Sequence, residues 1–116
     1  MWAINATTRI FLAQGATDMR LGFNGLCALV EHQIRESPVS GHLFAFCNRR
    51  RNRLKLLFWD GSGLWVCAKR LEAGRFTWPQ KEEPSELDRE RFLMLLGGLE
   101  WASTIQKPWY RHCPKE

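Results

Sequence analysis

Two strand-like runs joined by a four-residue turn constrain this chain more than any other feature in it. Leu54-Lys55-Leu56-Leu57-Phe58-Trp59 and Leu64-Trp65-Val66-Cys67-Ala68-Lys69-Arg70 flank Asp60-Gly61-Ser62-Gly63. Apolar, aromatic-rich runs on either side of such a turn predict a β-hairpin. The tightest pairing sets Trp59 opposite Leu64, Leu54 opposite Lys69 and Arg53 opposite Arg70. Leu56, Phe58, Trp65 and Cys67 then share one face, and Leu57, Trp59, Leu64, Val66 and Ala68 share the other. A sheet that is apolar on both sides has to be covered on both sides. One face is expected to be covered by helices of the chain itself. The other is expected to meet a partner protein or a second copy of this chain.

The flanking sequence supplies the remaining elements. Residues 9–13 are β-prone and end at Gln14-Gly15. Thr17 stands where a helix N-cap would, followed by Asp18 at the positive end. Met19, Phe23, Leu26, Leu29, Val30 and Ile34 then recur at helical spacing, with Gly22 and Gly25 allowing close packing. Residues 37–41 read as a loop and residues 42–47 as a strand, before the hairpin. A short fourth strand is predicted over residues 76–78, stopped by Pro79. Ser85 with Asp88 forms a capping box that opens a helix over residues 85–96, buried through Leu87, Phe92, Leu95, Leu96 and Leu99 and ended by Gly97-Gly98. A chain of 116 residues fits one core and one domain, residues 1–116. The expected fold is α+β: an antiparallel meander of about four strands, preceded by a strand and a helix and followed by a helix packed on it.

Charge is distributed unevenly along this framework. Residues 49–79 hold eight basic side chains (Arg49, Arg50, Arg51, Arg53, Lys55, Lys69, Arg70, Arg75) against Asp60 and Glu72, a net +6. The whole chain, with 17 basic and 12 acidic residues, is only +5. In the hairpin register Arg53 faces Arg70, and a further tight turn sets Arg70 opposite Arg75. Like charges directly opposite each other cost about 0.2–1 kcal/mol per pair. A sheet end that accepts this cost is expected to meet an anion, and nucleic acid is the commonest cellular polyanion. The same arginines could instead face a protein or only guard a strand edge. Trp59, Trp65 and Trp78 are candidates for base stacking or an interface, against a core role implied by their alternation with aliphatic residues.

No catalytic constellation accompanies the basic segment. Asp18 and Asp60 have local explanations as a helix-start and a turn acid, and the acidic run Glu82, Glu83, Glu86, Asp88 and Glu90 suits a linker and helix start. No H-E-x-x-H, G-x-S-x-G or phosphate-binding glycine loop occurs. Cys27, Cys47, Cys67 and Cys113 lack the close pairing of a zinc site, and His112-Cys113 is at most an adventitious ligand. A non-enzyme without cofactor or metal is expected. The N-terminal residues 1–5 lack a secretory pattern, and the apolar runs 43–47 and 92–96 are too short to span a bilayer, so a cytoplasmic location is expected.

The strings TDMRLGFNGL, SGHLFAFCNRRRNRLKLLFWDG and KRLEAGRFTWP, in that order, resemble the accessory protein encoded by the second open reading frame of bacterial insertion sequences of the IS66 family. The resemblance runs from Thr17 to Trp101. It departs at Asn24 and Asn52, where the family pattern has Asp, and at Phe58, where it has Tyr. It implies a small protein that works beside a separate, larger transposase of the same element, and it carries over no catalytic residues. The joint expectation is a transposition accessory factor that binds DNA, or the DNA–transposase complex, through the eight basic residues. The rival is an adaptor that docks the transposase or self-associates through aromatic sheet surface.

Overall fold

The computed structural model describes residues 5–80 and 85–98. Glu82, Glu83, Leu99, His112, Cys113 and the segment from Trp101 onward lie outside the described residues. The elements are β1 (Ile10–Leu12), α1 (Phe23–Leu29) running into a π-helical turn (Val30–Ile34), β2 (Leu43–Cys47), β3 (Arg53–Trp59), β4 (Leu64–Arg70), β5 (Ser85–Leu87) and α2 (Arg89–Leu96). This is an α+β fold on a five-stranded sheet of order β4-β3-β2-β1-β5.

The hairpin forms in the register expected from its turn, with Trp59 opposite Leu64, Leu54 opposite Lys69 and Arg53 opposite Arg70. Asp60 closes it: one carboxylate oxygen accepts from the N–H groups of Ser62 and Gly63 at 2.8 and 2.9 Å. The sheet is nevertheless not a simple meander. β1 lies parallel to β2, and β5 pairs antiparallel with the far side of β1, so the sheet is mixed.

Three local expectations are corrected. Residues 76–78 form no strand: the Phe76 N–H donates to Arg51 O at 2.7 Å, and Phe76 and Trp78 turn into the core. Ser85 does not open the second helix, because residues 85–87 are taken up by the sheet; Asp88 becomes the N-cap and accepts from the Arg91 N–H at 2.8 Å. Thr17 does not cap the first helix either. It is buried and its N–H donates to Cys47 O at 2.7 Å, which holds the chain along β2 and delays the helix to Phe23.

Strict alternation along the inner strands produces two separate cores. On one face Ile10, Leu12, Leu43, Ala45, Leu54, Leu56 and Phe58 pack with Leu71, Phe76, Trp78 and, from α2, Phe92 and Leu95. On the other Phe11, Phe44, Phe46 and Leu57 pack with Leu26 and Val30 of the first helical segment. The helices therefore take one face each, joined on the α2 side by the 71–79 segment. The expectation that the second face needs a partner to cover it is overturned: a single helix and the Met19–Leu21 turn cover it.

Both covers should be equally necessary. Phe92→Ala is expected to cost about 3–5 kcal/mol and Leu26→Ala about 2–5 kcal/mol. Urea denaturation should show either loss in one cooperative transition, because the strands are shared by both cores.

Candidate anion-binding groove

The basic residues meet at one end of the sheet through two backbone connections. Leu71 N–H donates to Asn52 O at 2.8 Å and Phe76 N–H to Arg51 O at 2.7 Å, which ties the 71–76 loop to the 48–53 turn. Asn48 holds that turn from inside. Its Oδ1 accepts from the N–H groups of Asn52 and Arg53, both at 3.0 Å, and its Nδ2 donates to Asn52 Oδ1 at 2.8 Å. Arg49 and Arg50 thus project, exposed, from a braced loop rather than a slack one.

The eight candidates divide into two groups. Arg51 is structural: it sits in the left-handed region at φ 61°, and its Nη1 donates to Gly15 O at 3.1 Å and Asn48 O at 3.4 Å. Its guanidinium also lies 5.8 Å from the centre of the Trp78 ring. Lys55 is half-buried and donates to Leu21 O at 2.9 Å, while Lys69 donates to Leu96 O at 2.7 Å near the end of α2. The ammonium groups of both lysines are thus already held by backbone carbonyls. Arg70 is exposed and pairs with Glu72 at 3.1 Å. Arg49, Arg50, Arg53 and Arg75 are exposed and have no ion pair or side-chain hydrogen bond among the described residues.

Arg53, Lys55, Lys69 and Arg70 line a shallow depression of about 450 Å³ with Met19, Leu54, Ala68 and Glu72. A second depression of about 310 Å³ continues it through Arg50, Asn48 and Asn52, sharing Met19, Arg53 and Arg70. Arg50, Arg53 and Arg70 therefore face one groove, while Arg49 and Arg75 stand outside it on the same end of the sheet. Arg75 is not opposite Arg70 in a ladder, since no strand forms there. The directly opposed pair Arg53–Arg70 does occur, and Glu72 pairs with Arg70 beside it.

Trp59, Trp65 and Trp78 do not line this groove. Trp78 is buried, its indole N–H donating to Ala13 O at 2.9 Å. Trp59 and Trp65 lie at the turn end of the hairpin, about 20 Å along the strands from Arg53 and Arg70. Trp65 is half exposed, stacks on Phe58 at 6.2 Å and donates to Asp60 Oδ2 at 2.7 Å. Positive charge and stacking surface are therefore separated, which suits contact with phosphate more than with bases.

Asn48 and Met19 were missed in the sequence. The Asn48-x-x-x-Asn52 spacing around an arginine run was a usable signal for a self-bonded turn; nothing marked Met19. Among the described residues Glu72 is the one carboxylate that lines the groove. Among the described residues no group of three or more His, Cys, Asp or Glu is placed to hold a metal ion. Asp18 binds Arg20 at 2.8 Å, and this guanidinium with the Arg20 N–H lowers its carboxyl to about 2. Burial raises the thiols of Cys27 and Cys47, which keeps them protonated. No described helix is long and apolar enough to cross a membrane.

These features define a small mixed-sheet protein that presents a braced, arginine-rich groove at one sheet end. The chain belongs to the IS66 Orf2-like family, whose model matches residues 8–106. It is thus a transposition-associated accessory protein of an insertion-sequence type. It is 39% identical over 101 residues to the uncharacterized protein y4jC of Sinorhizobium fredii (strain NBRC 101917 / NGR234), covering 86% of each chain. It is 36% identical over 102 residues to the uncharacterized protein y4hO of the same strain, covering 87% of this chain and 88% of that one. No solved structure matches it.

Two measurements test this reading of the site. Arg51→Ala should cost about 1–2 kcal/mol, because it removes charged hydrogen bonds to two carbonyls, whereas Arg50→Ala should stay within about 0.5 kcal/mol. Chemical denaturation of the two variants separates them. Asp60 is held well below the usual carboxylate range, first by the Trp65 indole N–H and then by the Ser62 and Gly63 turn. A depressed folded-state value means its contribution is fully present above about pH 4 and is lost only as pH falls through the lowered value. The Trp65 Nε1–H resonance should accordingly stay in place from pH 7 to pH 4 and move only in stronger acid.

Proposed function

We propose that this protein is a non-catalytic accessory factor of transposition that holds the nucleic-acid backbone of its element through the Arg50–Arg53–Arg70 groove. The observation that carries this reading is the directly opposed Arg53–Arg70 pair beside a braced turn, with Arg50 and Arg53 unpaired among the described residues. A fold that maintains like charges at this spacing gains from an anion placed between them. Arg49 and Arg75 extend the same positive end and add long-range attraction. Contacts of this kind neutralise phosphates and release counterions, so affinity depends on salt more than on sequence.

A second reading has the element's larger transposase as the partner, docked on apolar surface. Half-exposed Trp65 and Phe23, with Leu93 also exposed, favour it. The two readings differ in their response to salt, because apolar contacts persist where arginine–phosphate contacts are screened.

The experiment is a salt series of binding to duplex DNA carrying the element's terminal repeats, beside a scrambled duplex. Binding should weaken steeply from 50 to 200 mM salt, and Arg50→Ala and Arg53→Ala should each reduce the slope of log K against log salt by about 1. Absence of binding at low salt would transfer the groove to an acidic protein surface.

A further inference from the structure

Among the described residues β4 is an open sheet edge of seven residues, and no residue in it is fully buried. The opposite edge, β5, has only three residues and carries the bidentate Arg9–Glu86 pair, with contacts at 3.0 and 2.8 Å. Shortness and charge are the usual protections of a free edge. β4 has neither over Leu64-Trp65-Val66-Cys67-Ala68: it is apolar, contains no proline, and pairs residue for residue with β3 without a bulge.

The hydrogen-bond phase of β4 follows from the two ends of the hairpin. Asp60 N–H donates to Gly63 O at 3.1 Å, and Leu71 N–H to Asn52 O at 2.8 Å. Alternation between these points directs the backbone groups of Trp65, Cys67 and Lys69 at β3, and those of Leu64, Val66, Ala68 and Arg70 away from the sheet. A two-fold antiparallel contact between two such edges requires outward residues to face outward residues. Centring the axis on Cys67 meets this over the whole strand: Leu64 pairs with Arg70 of the second copy, Val66 with Ala68, and Cys67 with Cys67.

The side chains agree with that register. Lys69 of one copy falls opposite Trp65 of the other, a cation beside an indole whose N–H is already bound to the Asp60 carboxylate. Arg70 falls opposite Leu64, and the two basic ends point apart, their arginines about 20 Å from each other along the strands. The charge that repels at the groove therefore does not repel across this seam.

We propose that two copies of this protein join through β4 in that register, making one continuous ten-stranded sheet with a basic groove toward each end. The pairing stands whether or not the groove meets DNA. It is a small interface, so the dimer is expected to be weak and to form in a concentration-dependent way.

The test uses nuclease-treated full-length protein in reductant and 0.5 M salt, followed by sedimentation from about 1 to 300 μM. A monomer–dimer equilibrium is expected. Ala68→Pro removes one outward N–H and none that bonds β3, so it should keep the thermal transition and yield only monomer. Independently, facing residues at a non-hydrogen-bonded pair have Cα atoms about 4.5 Å apart, within disulfide range. In a Cys27→Ser, Cys113→Ser background, diamide should therefore couple Cys67 to Cys67. Two thiols pass two electrons and two protons to one diamide, and the product runs as a dimer on non-reducing gels until Cys67→Ser abolishes it. Monomer at all concentrations would overturn the proposal, as would a dimer that survives Ala68→Pro or fails to couple through Cys67. Loss of DNA binding with the dimer intact would count against the groove alone.

Discussion

Burial of β3 on both faces is the constraint on which the rest of this molecule depends. Leu54, Leu56 and Phe58 point into one core and Leu57 into the other, with Lys55 on the Leu57 side reaching Leu21 O. A strand in that position cannot lie on a surface, so helical cover is needed above and below it. The chain provides this by placing β1 beside β2 in parallel. The connection from β1 to β2 must then cross over the sheet, and the first helix makes that crossing on one face. The second helix and the 71–79 segment are left for the other.

The same constraint explains where function can reside. With both faces of the sheet packed, the sheet itself leaves available the ends of its strands and, among the described residues, the β4 edge. Residues at the strand ends escape the packing that fixes the middle of the sheet, and there the chain places its excess positive charge. Three of the eight basic residues are nevertheless held to backbone carbonyls: Arg51 through Gly15 and Asn48, Lys55 through Leu21 and Lys69 through Leu96. These long cationic side chains tie loops and helix ends to the sheet while adding to the local field. Arg50, Arg53 and Arg70 supply the directed part of it.

Much of the hairpin was legible beforehand. A four-residue Asp-Gly-Ser-Gly turn admits few pairings, and the alternation of apolar residues selects among them, so the Arg53–Arg70 juxtaposition could be read by counting. The second helix was legible in its body and its Gly97-Gly98 end but not in its start. The Ser85 signal competes with an edge-strand position that depends on β1, seventy-odd residues earlier in the chain. Thr17 was misread for the same reason, its N–H being drawn to Cys47 rather than to a helix turn. Phe76 and Trp78 alternate as a strand would, yet alternation cannot distinguish a ladder from an extended segment lying across a core.

By itself the sequence determined the family, the α+β class, the hairpin register and the clustering of positive charge within residues 49–79. Each of these rests on local pattern, where a few adjacent residues decide the outcome. The parallel placement of β1, the division of the helices between two faces, the separation of Trp59 and Trp65 from Arg53 and Arg70 and the identity of the described arginines left free were decided only by the tertiary structure. They depend on hydrogen bonds and packing between residues far apart in the chain, for which local propensity carries no information.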